Sequence, residues 1–318
     1  MTTTPRKRVL LLAGPTASGK SALALDLARR WNGVVINADA LQVYADLRIL
    51  TARPLADEEA AAPHRLYGHA AARDAYSVAR WLGEAAREIG NAWANGQLPI
   101  VTGGTGLYFR ALEKGLAEVP PIPEDIRERW RGFSGDLHGE LAVRDPLMAA
   151  RLMPADRQRL ARALEVFETT GRSLLDWQRD GQAQAPLAGA EVERIFMDVP
   201  RDELYERAGH RFDQMMRAGA LEEVRPLLAL DPGLPLMKSI GVPELAAYLR
   251  EEMTLEGAVE HAKTATRNYI KRQMTWWRGQ MSDWRPAVLE RAKAAGDQSW
   301  TPAMDHAQPV TAKPDVST

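Results

Sequence analysis

Gly14-Pro15-Thr16-Ala17-Ser18-Gly19-Lys20-Ser21 follows the apolar run Val9 to Ala13 and precedes a helical pattern from Ala22 to about Trp31. Strand, glycine loop and helix in that order are what the pattern G-x-x-x-x-G-K-[ST] needs to hold a phosphate. The glycines let backbone N–H groups curl around the anion, the helix N-terminus adds partial positive charge, and Lys20 reaches a terminal phosphate. Ser21 then stands where a hydroxyl can ligate Mg²⁺. A glycine turn without a ligand is the bland alternative, and the flanking strand and helix argue against it. A nucleoside triphosphate and another diphosphate offer the amides the same oxygens, so the loop alone leaves the ligand open.

Downstream, Val34-Val35-Ile36 ends in Asn37-Ala38-Asp39, the pattern of a buried strand that delivers a polar residue at its C-terminal edge. In open α/β sheets ligands sit at that edge. Asp39 there either ligates Mg²⁺ through water, accepts a proton from an attacking nucleophile, or caps a helix. Residues 51–73, with Pro54 and Pro63, read as a loop with a short helix, and His64 and His69 in it lack partners at metal-ligand spacing. Apolar residues from Val78 to Trp93 recur at three- and four-residue spacing, predicting a helix between Ser77 and Asn95. Leu98-Pro99-Ile100-Val101 then predicts a third strand, opening into Thr102-Gly103-Gly104-Thr105-Gly106. This second glycine turn, with the Thr105 hydroxyl, can also face an anion or simply cap the next helix. Two such turns suit a diphosphate. A common NTPase would place Asp where Thr102 stands.

Length and composition set the bounds. A chain of 318 residues suits two domains, or one with an insertion. Lys plus Arg is 41 and Asp plus Glu 42, so net charge (41 − 42 = −1) argues neither for nor against nucleic acid. With no cysteine, disulfides, thiolate catalysis and Cys-ligated zinc are excluded. No run suits a secretory signal or a membrane span, and the expected location is the cytoplasm.

After Pro120-Pro121-Ile122-Pro123 the segments are helical and arginine-rich, without a convincing strand, to about Glu193; this reads as a helical insertion. Arg151, Arg157, Arg159 and Arg162, with Gln158, give it a basic side that is either a solvated face or a phosphate contact. The sheet resumes at Arg194 to Val199. The following helix places Leu204, Ala208, Phe212 and Met215 on one stripe, with Arg207 and Arg211 beside it, available to clamp a phosphate or to face solvent. From Glu260 to Asp283 a basic helix interleaves Lys263, Arg267, Lys271, Arg272 and Arg278 with Tyr269, Trp276 and Trp277, and His261 through Ser282 holds no acid. That composition suits a nucleic-acid backbone or a packed, solvated helix. Residues 285–318 read as a disordered tail.

The stretches GPTASGKS (Gly14 to Ser21), Asp39 to Tyr44 with Thr51-Ala52-Arg53-Pro54, Gly103 to Tyr108, Gln158 to Glu165 and Lys271 to Trp276 together resemble the tRNA dimethylallyltransferases, over about Val9 to Gly279. The resemblance implies an α/β fold, a P-loop NTPase-like parallel sheet flanked by helices (residues 6–113 and 194–282) with an all-helical insertion (114–193) that grips the anticodon stem-loop. It implies a monomer that uses Mg²⁺ and transfers a dimethylallyl group from dimethylallyl diphosphate to N6 of adenosine 37 in tRNAs reading codons that start with U. By the same resemblance Asp39 is the general base, Thr105 and Arg211 serve the diphosphate, and residues 14–21 bind it. Contacts with tRNA fall to Asp39, Ala40, Leu41, Gln42, Thr105, Arg127, Gln158, Arg159, Leu160, Ala161, Arg162, Lys271, Arg272 and Gln273. The chain departs from the usual pattern at Ala40, at Leu50 where glycine is common, and at Val242-Pro243 where many members carry Tyr-Arg.

Competing expectations are prenylation of free AMP or ATP, a small-molecule kinase, and a non-enzymatic RNA-binding module whose glycine loop senses a nucleotide. The helical insertion and the Lys271-Arg272-Gln273 helix argue for a macromolecular acceptor.

Overall fold

An apolar run without alternation suits a strand covered on both faces, and Arg8–Ala13 forms such a strand, β1, with Leu10 to Ala13 buried. The computed structural model describes residues 7–180 and 185–287. β1 lies inside a parallel sheet with β2 (Gly33–Asn37), β3 (His64–Arg65), β4 (Leu98–Gly103), β5 (Glu191–Met197) and β6 (Arg285–Ala287), in the order β3-β2-β4-β1-β5-β6. The chain runs from β1 past β4 to β2, and later from β4 across β1 to β5. Its direction therefore reverses between β1 and β4, and the crevice at their C-terminal ends is where an open α/β sheet takes a ligand. This is the P-loop-like architecture expected from the sequence.

α1 (Lys20–Arg30) covers the sheet with Leu23, Ala24, Leu27 and Ala28. After α2 (Ala56–Ala61) comes α3 (Val78–Ala94), whose N-cap Ser77 accepts the Arg80 amide and whose buried stripe is Trp81, Ala85, Ile89 and Ala92. Trp81 is fully buried, donates its indole N–H to the Asn37 carbonyl at 2.8 Å and stacks on Tyr108, at the end of the first turn of α4 (Gly106–Lys114), with centroids 4.1 Å apart. Trp81→Ala is expected to lower the free energy of unfolding by about 3–5 kcal/mol, because it opens a cavity and orphans that carbonyl. Urea denaturation reads the change, and a loss below about 1 kcal/mol would contradict this packing account.

The chain divides into two compact units, one comprising residues up to Phe109 and from Gly189 onward, the other Arg110–Ala188. The second is helical: α5 (Glu124–Gly132), α6 (Leu137–Arg144), α7 (Pro146–Ala149), α8 (Arg157–Thr170) and α9 (Leu174–Asp180). Its core gathers Trp130, Leu137, Leu141, Leu160, Leu164 and Leu175. α8 starts at the Asp156 side chain, which accepts the Arg159 amide, and stops at left-handed Gly171. Glu165 is buried there but paired with Arg131 and Arg162, at 3.0 and 3.3 Å, which is what a buried carboxylate requires.

In the first unit, α10 (Arg201–Arg217), α11 (Ala220–Val224), α12 (Val242–Leu249) and α13 (Leu255–Gln280) complete the helical layers, with Leu204 and Ala208 of α10 packed on Ile270 and Met274 of α13. Three readings of the sequence need correction. His64-Arg65, read as loop, pairs with β2 as the edge strand β3. β5 begins at Glu191 rather than Arg194, because Arg8 pairs with Glu191 at the start of β1. Arg285–Ala287, read as tail, is the strand β6, tied to β5 and preceded by Trp284, whose ring meets Phe109 and Trp277. The rest of the expected tail, 288–318, lies outside the described residues. Among the described residues no helix is long and apolar enough to cross a membrane.

Candidate active site

The loop between β1 and α1 is built by backbone conformation. Ala17 and Gly19 adopt positive φ (64° and 86°), and Gly19 leads directly into Lys20, the first residue of α1. A Cβ on Gly14 would lie 2.8 Å from both Met197 Cβ and Ser18 Oγ, so glycine alone fits there. The Lys20 ammonium folds back to donate to the Pro15 carbonyl at 3.2 Å, which places the cation over the loop.

Asp39 is held at the C-terminal end of β2 by a short network. Its amide donates to Asn37 Oδ1 at 2.9 Å, its carbonyl accepts from Asn37 Nδ2 at 3.0 Å, and its carboxylate Oδ1 accepts the Leu41 amide at 3.0 Å. Thr105 is fixed beside it: the Thr105 amide donates to the Ala38 carbonyl, and Thr105 Oγ1 accepts the Ala40 amide at 3.0 Å. With that oxygen occupied as an acceptor, the hydroxyl hydrogen is left to donate. Gly103 permits the approach, since a Cβ there would meet the Ala38 carbonyl oxygen at 2.1 Å.

Gln273 of α13 joins the two glycine turns. Its Oε1 accepts the Thr16 amide and its Nε2 donates to the Gly104 carbonyl, both at 3.0 Å, and the side chain is buried. Gln273→Ala is expected to weaken the binding of inorganic diphosphate about tenfold, consistent with the loss of one to two hydrogen bonds that shape the cradle. Calorimetric titration measures this; unchanged affinity would mean that the turns hold their geometry without the clasp.

A cavity of about 390 Å³ opens over these groups, and Thr16, Lys20, Ser21, Asp39, Thr105 and Arg211 all line it. Burial lowers the Lys20 ammonium to about 8; the Asp39 carboxylate opposes the shift and the Arg211 guanidinium adds to it. Burial also lowers Arg211 from its ordinary value, with Asp39 opposing. Desolvation and the Asp39 carboxylate raise the Tyr269 phenol, so it is a neutral hydrogen-bond donor at the cavity wall. Two cations, a carboxylate and a free hydroxyl thus converge on one space, with Leu50, Ala208, Phe212, Met215 and Ile240 as its apolar side. This arrangement can bind an anionic group, stabilise charge as that group departs, and take a proton from a nucleophile.

Of the other residues singled out from the sequence, Ala40, Leu41, Gln42, Arg272 and Gln273 also line the cavity. Lys271 is exposed on α13 and is not part of that wall. Arg207, the neighbour of Arg211 on α10, is absent from the wall and ion-pairs with Glu203. In the helical unit, Gln158, Arg159 and Arg162 project toward solvent to differing extents, and Arg127 pairs with Glu124. Leu160 and Ala161 fill that unit's core, so any side-chain contact from this stretch falls to Gln158, Arg159 and Arg162.

Sequence reasoning passed over Thr266, took Tyr269 only as a ring of the basic helix, and passed over Lys238, Ser239 and Ile240. The first two were legible in principle, because 266, 269 and 273 share one helical face with Gln273. Lys238 ends a short 3₁₀ helix (Pro235–Lys238) and 239–240 follow it in irregular backbone, so neither carries a periodic signal. Among the described residues there is no group of three or more His, Asp or Glu side chains able to hold a metal ion.

Known proteins resemble this chain in sequence and in fold. The IPP transferase family model matches residues 42–280, and the isopentenyl transferase model matches residues 7–71. A tRNA dimethylallyltransferase of Azorhizobium caulinodans is 54% identical over 290 residues, covering 89% of this chain and 93% of the relative. That of Nitrobacter hamburgensis is 53% identical over 292 residues, covering 90% and 92%. Among solved structures, a eukaryotic dimethylallyltransferase acting on tRNA aligns with a TM-score of 0.78 at 27% identity, covering 88% of this chain and 73% of that one. The tRNA isopentenylpyrophosphate transferase of Bacillus halodurans aligns with a TM-score of 0.64 at 32% identity, covering 91% and 94%. With the family model spanning most of its length, and with relatives this similar, the chain belongs to the IPP transferase family of tRNA-modifying prenyltransferases.

Proposed function

We propose that this chain transfers a dimethylallyl group from dimethylallyl diphosphate to N6 of adenosine 37 in tRNAs that read codons beginning with U. The observation that carries the reading is the single cavity lined by Lys20, Arg211, Thr105 and Asp39. The N6 lone pair attacks the allylic carbon, the carbon–oxygen bond breaks, and diphosphate leaves with the electron pair. Lys20, Arg211, the loop amides and the Thr105 hydroxyl stabilise the charge growing on that leaving group. The Asp39 carboxylate takes the proton that N6 loses. Adenosine in a stacked anticodon loop must swing out to enter such a cavity.

Ser21, exposed on the first turn of α1, and Asp39 are the oxygen donors of this wall that fit Mg²⁺, with the diphosphate oxygens supplying further ligands. When bound, the ion adds positive charge against the departing diphosphate. Around the cavity, Ala40 to Gln42 and Arg272 meet the acceptor loop, while Lys271, the exposed Gln158 and Arg159, and the half-buried Arg162, with Arg127, supply contacts to its backbone. The proposed chemistry calls on no residue of a second copy, so the chain is taken to act as a monomer, and a tRNA acceptor is in keeping with a cytoplasmic location.

Diphosphate release from dimethylallyl diphosphate tests the reading. Release is expected only when unmodified tRNA is present. Release with AMP or ATP in its place would assign the chain to nucleotide prenylation. ATP turnover with no use of the prenyl donor would assign it to phosphoryl transfer.

A further inference from the structure

The wall of the cavity opposite in sequence to the glycine loop rests on a carboxylate that no part of the proposed chemistry uses. Glu223, on α11, accepts the backbone amides of Arg48 and Ile49 on Oε1 and of Leu50 on Oε2, the latter two at 2.8 and 2.9 Å. Successive amides converging on one carboxylate form an anion nest, here filled by the protein itself. The segment so held is a tight turn: the Ala52 amide donates to the Ile49 carbonyl, the Arg53 amide to the Arg48 carbonyl, and Ala52 adopts a φ of 51°. Leu50 and Thr51 of this turn line the cavity. Leu50 also packs over Gly241, where a Cβ would meet Leu50 Cδ2 at 2.7 Å.

The turn is in contact with the segment that carries the base. Gln42 Nε2 donates to the carbonyls of Thr51 and Ala52, at 2.8 and 3.0 Å. The Leu41 amide, one residue earlier, binds the Asp39 carboxylate. Glu223 is therefore linked through turn 48–52 and Gln42 to Asp39.

We propose that Glu223 is a positioning residue for prenyl transfer: by holding the amides of 48–50 it fixes the Leu50–Thr51 wall and, through Gln42, the segment bearing Asp39. The proposal rests on the prenyl-transfer reading above. It assigns Glu223 no contact with diphosphate, which the separate loop 14–21 binds.

The test compares wild type, Glu223→Gln and Glu223→Ala for steady-state tRNA prenylation and for inhibition by inorganic diphosphate, with thermal unfolding as a control. The isosteric amide keeps one acceptor oxygen but turns an NH2 group toward a backbone N–H. Expected are losses in kcat/KM of roughly tenfold for Glu223→Gln and a hundredfold for Glu223→Ala, on the scale by which misplacement of a reacting group slows chemistry. The inhibition constant for diphosphate is expected to stay within about twofold of wild type, and Glu223→Gln with Gln42→Ala is expected to be less than additive, as for residues in one network. Glu223→Gln carries the test where the alanine variant does not fold. Wild-type kcat/KM in folded Glu223→Gln, or a diphosphate inhibition constant that rises in step with the loss, would overturn the proposal. The wild-type reaction, run alongside, tests the prenyl-transfer reading itself, so the two failures are distinguishable.

Discussion

Asp39→Asn is expected to lower tRNA prenylation by about 10²–10⁴-fold, the usual contribution of a positioned general base. Asn retains the oxygen that accepts the Leu41 amide and leaves the bonds from Asn37 to the Asp39 backbone untouched. The turn should therefore keep its shape and lose the carboxylate charge, and with it the group that can take the proton. Stability, and diphosphate affinity measured without Mg²⁺, are expected to change little, and KM for tRNA less than kcat. Single-turnover kinetics with saturating donor measures the chemical step; a variant within about tenfold of wild type would remove Asp39 from the role of base.

Lys20→Met is expected to weaken diphosphate binding and to slow transfer by about 10²–10³-fold, because it deletes a charged donor aimed at the leaving group. The pH dependence of binding gives a second reading of the same residue. In the free protein the Lys20 ammonium has a value of about 8, below its ordinary 10.5. An anion beside it favours the protonated form, so diphosphate binds with uptake of a proton once the pH exceeds about 8. Affinity should be highest below that pH and fall by up to tenfold per unit above it, until the raised value of the complex is reached. The methionine variant should lose this component, which separates it from the titration of diphosphate itself. Stability runs the opposite way with pH. The lowered value makes the buried ammonium a cost to the folded state below about pH 8, relieved as the pH rises toward 10.5.

Where function depends on glycine conformations and strand ends, the sequence was readable. Val9 to Ala13, Val34 to Ile36 and Leu98 to Val101 are unbroken apolar runs because their strands are covered on both faces, and each delivers its polar residues at one edge of the sheet. The short edge strands escaped because two or three residues cannot display a period. His64-Arg65 offers no alternation, and Arg285-Pro286-Ala287 is a three-residue edge strand with a proline at its centre, which weakens any strand signal. The contributions of Gln273 and Glu223 escaped for another reason. Both bind backbone atoms distant in sequence, and a backbone amide has the same chemistry whatever side chain it carries. Gln273 in particular stood out in a basic helix as a contact for RNA, whereas its amide is committed to the two glycine turns.

The departures from the family pattern have local explanations. Val242 is buried at the first position of α12, and Pro243 sits in the first turn, where its missing N–H interrupts no helical bond. Leu50 keeps the amide that Glu223 requires and fills the space above Gly241.

The central claim is a tRNA adenosine as the acceptor, and the most direct measurement is the identity of the labelled nucleoside. Unmodified tRNA is incubated with the protein, Mg²⁺ and labelled dimethylallyl diphosphate, then digested and resolved. The account predicts N6-dimethylallyladenosine derived from position 37 with wild type and its loss with Asp39→Asn. Label in AMP or ATP alone, at another tRNA position, or in no acceptor would contradict it.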